Sequence, residues 1–317
     1  MRPEILLLGS GWVADVDAAL ERDFTCHRLA QAAPGERDAF IERIAPAVRG
    51  VYTTGTVGID AALAARLPAL EIVAVHGVGV DAVDFDALVP RGIAVSNTPD
   101  VLTEDVADLA VALLLASNRR LPQLDRYVRS GAWEAKAPLV PARSLRGKVA
   151  GVVGLGRIGR AVAARLDAFG MRVRYFQRST ADCAYPRSDS LLDLARESDY
   201  LVVCAPGGAA TRAMIDADVL AALGPQGTLV NIARGSLVDE AALVAALQEG
   251  RLGAAALDVF TDEPRVPAAL RELDNVVLAP HVGSFTVETR TAMGMLAVAN
   301  LDAHFAGKPL PTPVRGN

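Results

Sequence analysis

The sequence predicts an α/β fold built on a doubly wound, mostly parallel sheet. Three observations carry that prediction. Apolar runs of strand length recur along the chain, several of them closed by glycine. Stretches of helical character separate them, which is the rhythm of parallel strands joined by helices. One glycine-spaced segment, Gly154-Leu155-Gly156-Arg157-Ile158-Gly159, follows a strand candidate and opens a helix candidate.

The elements follow in order. Ile5–Leu8 is a short strand closed by Gly9, and Ala14–Leu20 has helical character. Ala47–Val51, Ile72–Val75 and Ile93–Val95 are further strand-length runs, and this first unit reaches about Asn97. Glu104–Ser117 is a long helix without internal glycine or proline. Thr103 can cap it, and Glu104 and Asp105 fill its acidic first turn. Its apolar content is too dense for a solvated surface, so it is expected to be largely buried. A looser segment runs to about Arg146, and a second α/β run starts at Gly147. Its strands are Val149–Val153, Arg172–Phe176, Leu201–Cys204, Thr228–Ile232, Ala254–Leu257 and Val276–Leu278. Arg157–Phe169, Leu191–Glu197, Ala217–Leu223 and Glu240–Glu249 are the helices between them.

Composition narrows the function classes. A chain of 317 residues has room for two ordinary domains. With 51% hydrophobic and 22% charged residues it is not a disordered chain. A net charge of -5 argues against a broad basic surface for nucleic acid. Cys26, Cys183 and Cys204 are scattered, which argues against a disulfide scaffold or a cysteine zinc site, and no clustered ligand set for a metal is evident. The apolar run at the N-terminus is too short for a signal-peptide core or a membrane span. A cytoplasmic protein without a membrane or nucleic-acid partner is expected.

The glycine segment has a physical reading at each position. Gly154 allows the tight turn, Gly156 lets the backbone approach a pyrophosphate, and Gly159 permits close helix–strand packing. The helix N-terminus then offers amides to the phosphates. Such a site needs an acid at the end of the second strand to bind a ribose 2′-hydroxyl. Here Arg172–Phe176 is followed by Gln177, Arg178, Ser179 and Thr180, with no acid before Asp182. Arginine suits a phosphate because its fork is planar and bidentate. NADP(H) is therefore the expected cofactor, with NAD(H) possible.

A candidate catalytic set lies further on. Arg234 follows strand Thr228–Ile232, Glu263 follows Asp258 and Thr261-Asp262, and His281 lies just past Val276–Leu278. All three come after strands, on the edge of a parallel sheet where ligands bind. Histidine can exchange a proton with a carbonyl or alcohol oxygen near neutrality. Glu263 can bond the other ring nitrogen, and Arg234 can pair with a carboxylate and polarise the reacting oxygen. In the first unit, His76-Gly77-Val78-Gly79-Val80-Asp81 can form a small anion nest of successive amides. Thr53, Thr54 and Gly55 can line the same pocket.

Taken together, these segments resemble the NAD(P)-dependent D-isomer-specific 2-hydroxyacid dehydrogenases. The branch of glyoxylate/hydroxypyruvate reductases and hydroxyphenylpyruvate reductases is the nearest likeness. The resemblance spans nearly the whole chain. It rests on Gly77-Val-Gly79-Val-Asp81, the run Asn97-Thr-Pro99 to Asp108, and Gly151-Val-Val-Gly154-Leu-Gly156-Arg-Ile-Gly159. It continues through Asn231-Ile232-Ala233-Arg234-Gly235, Leu257-Asp258, Glu263-Pro264 and Pro280-His281-Val-Gly283.

The resemblance implies a Rossmann-type cofactor domain at 99–286, inserted into a flavodoxin-like substrate domain made of 1–98 and 287–317. It implies that Arg234 binds the substrate carboxylate and carbonyl, that His281 is the acid/base, and that Glu263 is its paired carboxylate. Thr54 and the amides of Val78 and Gly79 would line the substrate site. Asp258 would contact the nicotinamide carboxamide. Thr103 lies on the cofactor side, Cys204, Ala205 and Pro206 lie beside the adenosine, and Arg178 and Ser179 match a phosphate-binding pair. Thr211, Ile232, Ala233 and Gly283 complete the implied cofactor contacts. Homodimers are usual in the family.

The expected function is NADPH-preferring reduction of a small 2-oxo acid, such as glyoxylate or hydroxypyruvate, to the D-2-hydroxy acid. One alternative is a dehydrogenase of the same family for an aryl pyruvate, 2-ketogluconate or phosphoglycerate. A phosphate-bearing substrate would need basic side chains in the 51–60 and 76–81 loops, which offer none except His76. A non-catalytic dinucleotide-sensing regulator is the other alternative, and the presence of Arg234, Glu263 and His281 speaks against it.

Overall fold

The computed structural model describes residues 2–9 and 13–314. The chain divides into two compact units, Met1–Leu102 with Ser284–Asn317, and Thr103–Gly283. These boundaries lie a few residues from 98/99 and 286/287. Val101 stays with the first unit, where its carbonyl accepts from Thr289 Oγ1 at 3.5 Å. Gly283 is held in the second unit, its amide donating to Asp258 at 2.9 Å.

The first unit is a six-stranded sheet. Five strands are parallel: β1 (Glu4–Leu7), β2 (Thr25–Arg28), β3 (Val48–Thr54), β4 (Ile72–His76) and β5 (Ala94–Ser96). The short strand Pro313–Val314 adds antiparallel to β5, giving the order Pro313–Val314, β5, β4, β3, β1, β2. Alternate side chains feed two cores, as the period of two along a strand requires. Leu6, Val51, Val73 and Val75 serve one, and Ile5, Leu7, Tyr52, Ile72 and Ala74 the other. Helix Val287–Phe305 closes the second core, packing on β4 and on helix Ala14–Asp23. Gly294 makes that approach possible, because a Cβ there would collide with Val16.

The second unit is a six-stranded, all-parallel sheet. Its strands are β6 (Val149–Val153), β7 (Arg172–Phe176), β8 (Tyr200–Val203), β9 (Thr228–Asn231), β10 (Ala254–Leu257) and β11 (Val276–Leu278). They lie in the order β11, β10, β9, β8, β6, β7. A single parallel bridge, Tyr175 with Arg187, adds one more line of pairing beyond β7. With that bridge counted as a strand, the order is that of dinucleotide-binding sheets, with the switch point between β6 and β8. Every residue of β6, β8 and β9 is buried, as expected where helices cover both faces.

Helix Thr103–Asn118 packs on helix Arg157–Ala168 and on β9 to β11. It corrects one expectation: Thr103 is the first helical residue rather than the residue before it. The helix is buried through Val106, Ala107, Ala110, Val111, Leu113 and Leu114, while Glu104 and Asp108 are exposed and pair with Arg165 at 2.8 and 2.6 Å. Among the described residues, no helix is long and apolar enough to cross a membrane.

Candidate active site

The glycine turn after β6 is built as its spacing suggests. Gly154 has φ 89°, and a Cβ there would sit 2.8 Å from the Ala205 backbone in the loop after β8. The turn after β6 and the loop after β8 therefore touch at the switch point. A Cβ on Gly159 would collide with the Gly154 carbonyl. Gly156 is different: nothing lies within 4 Å of the position its Cβ would take. Packing inside the protein does not demand a glycine there, whereas a close-lying ligand does. Gly156 also precedes helix Arg157–Ala168 without any side-chain cap, so the helix's first amides are left to other acceptors. These features fit the pyrophosphate of a dinucleotide.

Leu155 is buried in the turn, Ile158 is half-buried and Arg157 is exposed. Gln177, just past β7, accepts from the Leu155 amide at 3.0 Å, tying the turn to the second strand. Arg178, Ser179 and Thr180 follow and are all exposed. After β8, burial pushes the Cys204 thiol up to about 12, so it is an inert thiol near neutrality. Ala205 is buried, and Thr211 Oγ1 donates to the Pro206 carbonyl at 2.8 Å, closing that loop.

The second half of the sheet carries the ionisable groups. Asn231 ends β9 and braces the next turn: its Oδ1 accepts from the Ala233 amide at 3.0 Å and its Nδ2 donates to the Arg234 carbonyl at 2.9 Å. Ile232 is buried behind that turn. Gly235 must be glycine, because a Cβ would collide with the Phe260 backbone. That contact sets the Arg234 turn against the loop after β10.

His281 and Glu263 meet on this edge. His281 Nδ1 lies 2.7 Å from Glu263 Oε2, and the Phe260 amide donates to Glu263 Oε1 at 3.1 Å. Burial alone would raise the Glu263 carboxyl. The His281 hydrogen bond and charge, the Phe260 amide and the Arg234 charge outweigh it and hold Glu263 below the ordinary carboxylate value. Among the described residues, His281 Nε2 has no hydrogen-bond partner, so one ring nitrogen is oriented and the other remains for a substrate.

Asp258 sets the backbone of this histidine. Its carbonyl accepts from the His281 amide at 2.8 Å, and its two carboxylate oxygens accept from the amides of Val282 and Gly283 at 2.7 and 2.9 Å. His281 adopts φ 54°, a left-handed conformation costing on the order of 1 kcal/mol for a side-chain-bearing residue. Those three hydrogen bonds over-determine it. Burial raises the Asp258 carboxyl, against the pull of the two amides and of His281. Among the described residues, no cluster of histidine, cysteine and acids is placed to hold a metal ion.

The first unit's sheet edge holds the other expected site residues. Thr54 ends β3, its Oγ1 accepting from the Val57 amide at 3.1 Å. Gly55 lies against Gly79, where a Cβ would collide with the Gly79 carbonyl. The 76–79 loop is held by Asn97, which donates to the Val78 carbonyl at 2.8 Å, and by Thr98, which accepts from the Gly77 amide at 2.9 Å. The amides of Val78 and Gly79 donate to nothing among the described residues. His76 is buried at the end of β4, 2.7 Å from Tyr52 through Nδ1. Burial and the nearby Arg290 guanidinium lower it to about 3, so it is neutral at physiological pH and is no proton donor there.

Comparison with known proteins settles the family. Residues 111–283, more than half of the chain, match the NAD-binding domain of the D-isomer specific 2-hydroxyacid dehydrogenases. The chain belongs to that family. It is an NAD(P)-dependent 2-hydroxyacid dehydrogenase. It is 51% identical over 280 residues to a glyoxylate/hydroxypyruvate reductase of Arabidopsis thaliana, covering 88% of this chain and 89% of the relative. It is also 51% identical to a hydroxyphenylpyruvate reductase of Plectranthus scutellarioides, covering 89% and 90% of the two chains. Among solved structures it is similar to an NADPH-dependent glyoxylate/hydroxypyruvate reductase of Sinorhizobium meliloti in complex with NADP and malonate. The TM-score is 0.89 with 43% identity, covering 99% of this chain and 97% of the other.

Several supporting residues escape a reading of the sequence. Asn231, Asn97 and Thr98 brace loops through side-chain bonds to backbone groups, and Gln177 bonds the glycine turn rather than standing free. Asp258 shows two bonded amides as well as any role toward a cofactor. Asn231 and Asn97 do lie inside the quoted motifs. A polar residue at the very end of an apolar strand was the available signal.

Proposed function

We propose that this dehydrogenase reduces a small 2-oxo acid, such as glyoxylate or hydroxypyruvate, to the D-2-hydroxy acid, with NADPH preferred over NADH. The second unit is the cofactor domain and the first is the substrate domain. The observation that carries the reading is the 2.7 Å contact of His281 with Glu263 on the sheet edge that also bears the glycine turn. The named relatives, two of them reductases of these acids, support the substrate class. The absence of an acid after β7, with Arg178, Ser179 and Thr180 in its place, supports the cofactor preference.

When bound, the nicotinamide cofactor supplies the hydride. Arg234 holds the substrate carboxylate and polarises the keto oxygen. His281 donates a proton from Nε2 to that oxygen as C2 is reduced, and Glu263 keeps the imidazolium favoured and oriented. Asp258, Thr103, Cys204, Ala205, Pro206, Thr211, Ile232, Ala233 and Gly283 complete the cofactor site. Thr54 and the amides of Val78 and Gly79 serve the substrate carboxylate. A homodimer in the cytoplasm completes the proposal. Exposed Leu121, Val128, Trp133, Leu139 and Val140 in the 121–140 segment support an association surface.

Steady-state oxidation of NADPH and NADH by the purified protein tests this directly, with glyoxylate, hydroxypyruvate and 4-hydroxyphenylpyruvate as acceptors. Turnover with the first two and a higher kcat/KM for NADPH are expected. If neither cofactor is oxidised with any small 2-oxo acid, the reading fails.

A further inference from the structure

The segment after β7 is a closed excursion rather than a loose loop. It leaves the sheet at Gln177 and returns at Pro186–Ser188. There the Tyr175 amide donates to the Pro186 carbonyl at 3.1 Å and the Ser188 amide to the Tyr175 carbonyl at 2.9 Å. Arg187 is the residue bridged to Tyr175, so its backbone is fixed by the sheet. Its side chain reaches back across the excursion. Nε donates to the Gln177 carbonyl at 3.2 Å and Nη2 to the Arg178 carbonyl at 3.3 Å. Arg160, on the helix after the glycine turn, donates to the Asp182 carbonyl at 2.9 Å. The Tyr175 hydroxyl accepts from the Ala181 amide at 3.0 Å.

The arginines around this segment differ from others in the unit in how they are paired, although Asp182 and Asp189 lie on the same stretch of chain. Elsewhere in the second unit, arginines such as Arg143, Arg165, Arg174 and Arg265 are matched to carboxylates at 2.6–2.8 Å. Among the described residues, Arg160, Arg178 and Arg187 have no carboxylate partner. Two of the three guanidiniums bond backbone carbonyls, which fixes their position without neutralising their charge. Arg178 and Arg187 on this excursion, with Arg160 on the helix beside it, leave positive charge that suits a compact dianion.

We infer that Arg187 is a positioning residue for coenzyme choice: by gripping the Gln177 and Arg178 carbonyls it fixes the Arg178–Thr180 segment to receive a 2′-phosphate. Arg160 braces the far end of the same segment and adds to the positive field. This inference rests on the proposed NADPH preference, and it assigns that preference to residues beyond the strand-end pair Arg178 and Ser179.

The test is calorimetric binding of adenosine 2′,5′-bisphosphate and of 5′-AMP to the full chain, with KM values for NADPH and NADH alongside. Arg187→Ala is expected to weaken the bisphosphate by about tenfold and to leave 5′-AMP within about twofold. Arg187→Lys keeps the charge but loses the two-point grip, so less than half of the loss should be recovered. Arg160→Ala should show the same selectivity at about threefold. Equal weakening of both ligands by Arg187→Ala would reduce Arg187 to a general brace and overturn the inference, as would no change in either. Arg178→Ala separates the two levels. If it discriminates between the ligands and neither Arg187 variant does, only the inference fails. Should Arg178→Ala also fail to discriminate, the 2′-phosphate reading falls and takes the inference with it. The lysine variant carries the test if Arg187→Ala does not fold.

Discussion

The two units carry different side chains on the same scaffold. Each has five or six parallel strands with helices on both faces, and each places its conspicuous loops after strand ends. The second unit loads that edge with ionisable groups: Arg234, Asp258, Glu263 and His281. The first offers hydroxyls, amides at Val78 and Gly79 that donate to nothing among the described residues, and a histidine that burial keeps neutral. A parallel sheet thus presents a row of loops, and the residues at each strand end decide whether the row does chemistry or only binds. The same residue type shows the contrast most sharply. His281 is part-exposed and paired with a carboxylate, while His76 is buried beside a cation.

The largest expected effect comes from removing the cation of the reactive edge. Arg234→Ala should lower kcat/KM for the 2-oxo acid by about 10³-fold, because in the role proposed for it Arg234 both holds the carboxylate and polarises the keto oxygen. Thr54→Ala in the first unit should stay within about threefold. Similar losses for the two would erase the distinction between the units.

Glycine substitutions probe the cradle at the next level. Gly156→Ala meets no atom of the protein, so the thermal midpoint should hold while NADPH dissociation weakens by about tenfold or more. Gly159→Ala meets the Gly154 carbonyl and should cost about 1–3 kcal/mol of stability. A loss of stability in Gly156→Ala without a loss of binding would contradict the ligand reading of that glycine.

Glu263→Gln should reduce kcat by roughly 10–100-fold, and it also carries a pH signature. The Glu263 carboxyl is held below its unfolded value of about 4.5, so its stabilising contribution is present above that value and is lost as pH falls through the folded one. The glutamine variant has no such group, and its midpoint should fall less steeply with acid. Differential scanning calorimetry across that range checks the sign.

His76 gives the smallest effect. It ionises near 6.5 when unfolded and near 3 when folded, so the unfolded chain takes up the proton first. Stability should therefore fall as pH drops below about 6.5, by at most ~1.4 kcal/mol per pH unit from this group. His76→Gln should flatten that slope between pH 6.5 and 5 without lowering kcat more than a few-fold. A slope unchanged in the variant would show that His76 is not buried neutral.

Much of this was readable in the chain. Val149–Val153, Ala254–Leu257 and Val276–Leu278 are strands over the residues their composition suggests, because short β-branched or small apolar runs have few alternatives. Thr25–Arg28 escaped, since an edge strand reading Thr-Cys-His-Arg carries no apolar run. Helix Leu121–Arg129 buries no residue, so density of apolar side chains did not mark it. The strand-end placement of Arg234, Glu263 and His281 was legible in the sequence, but the 2.7 Å contact of His281 with Glu263 was not. The grip of Arg187, the brace of Asn231 and the two amides on Asp258 are side-chain bonds to distant backbone. Such bonds depend on the folded path, and local pattern carries no trace of them.

The most direct test of the central claim, that the His281–Glu263 pair drives proton transfer in 2-oxo acid reduction, is kcat of His281→Asn. It is measured with hydroxypyruvate under saturating NADPH. A fall of at least about 100-fold is predicted, with NADPH affinity within about twofold of the parent. Retention of the parent kcat would contradict the account.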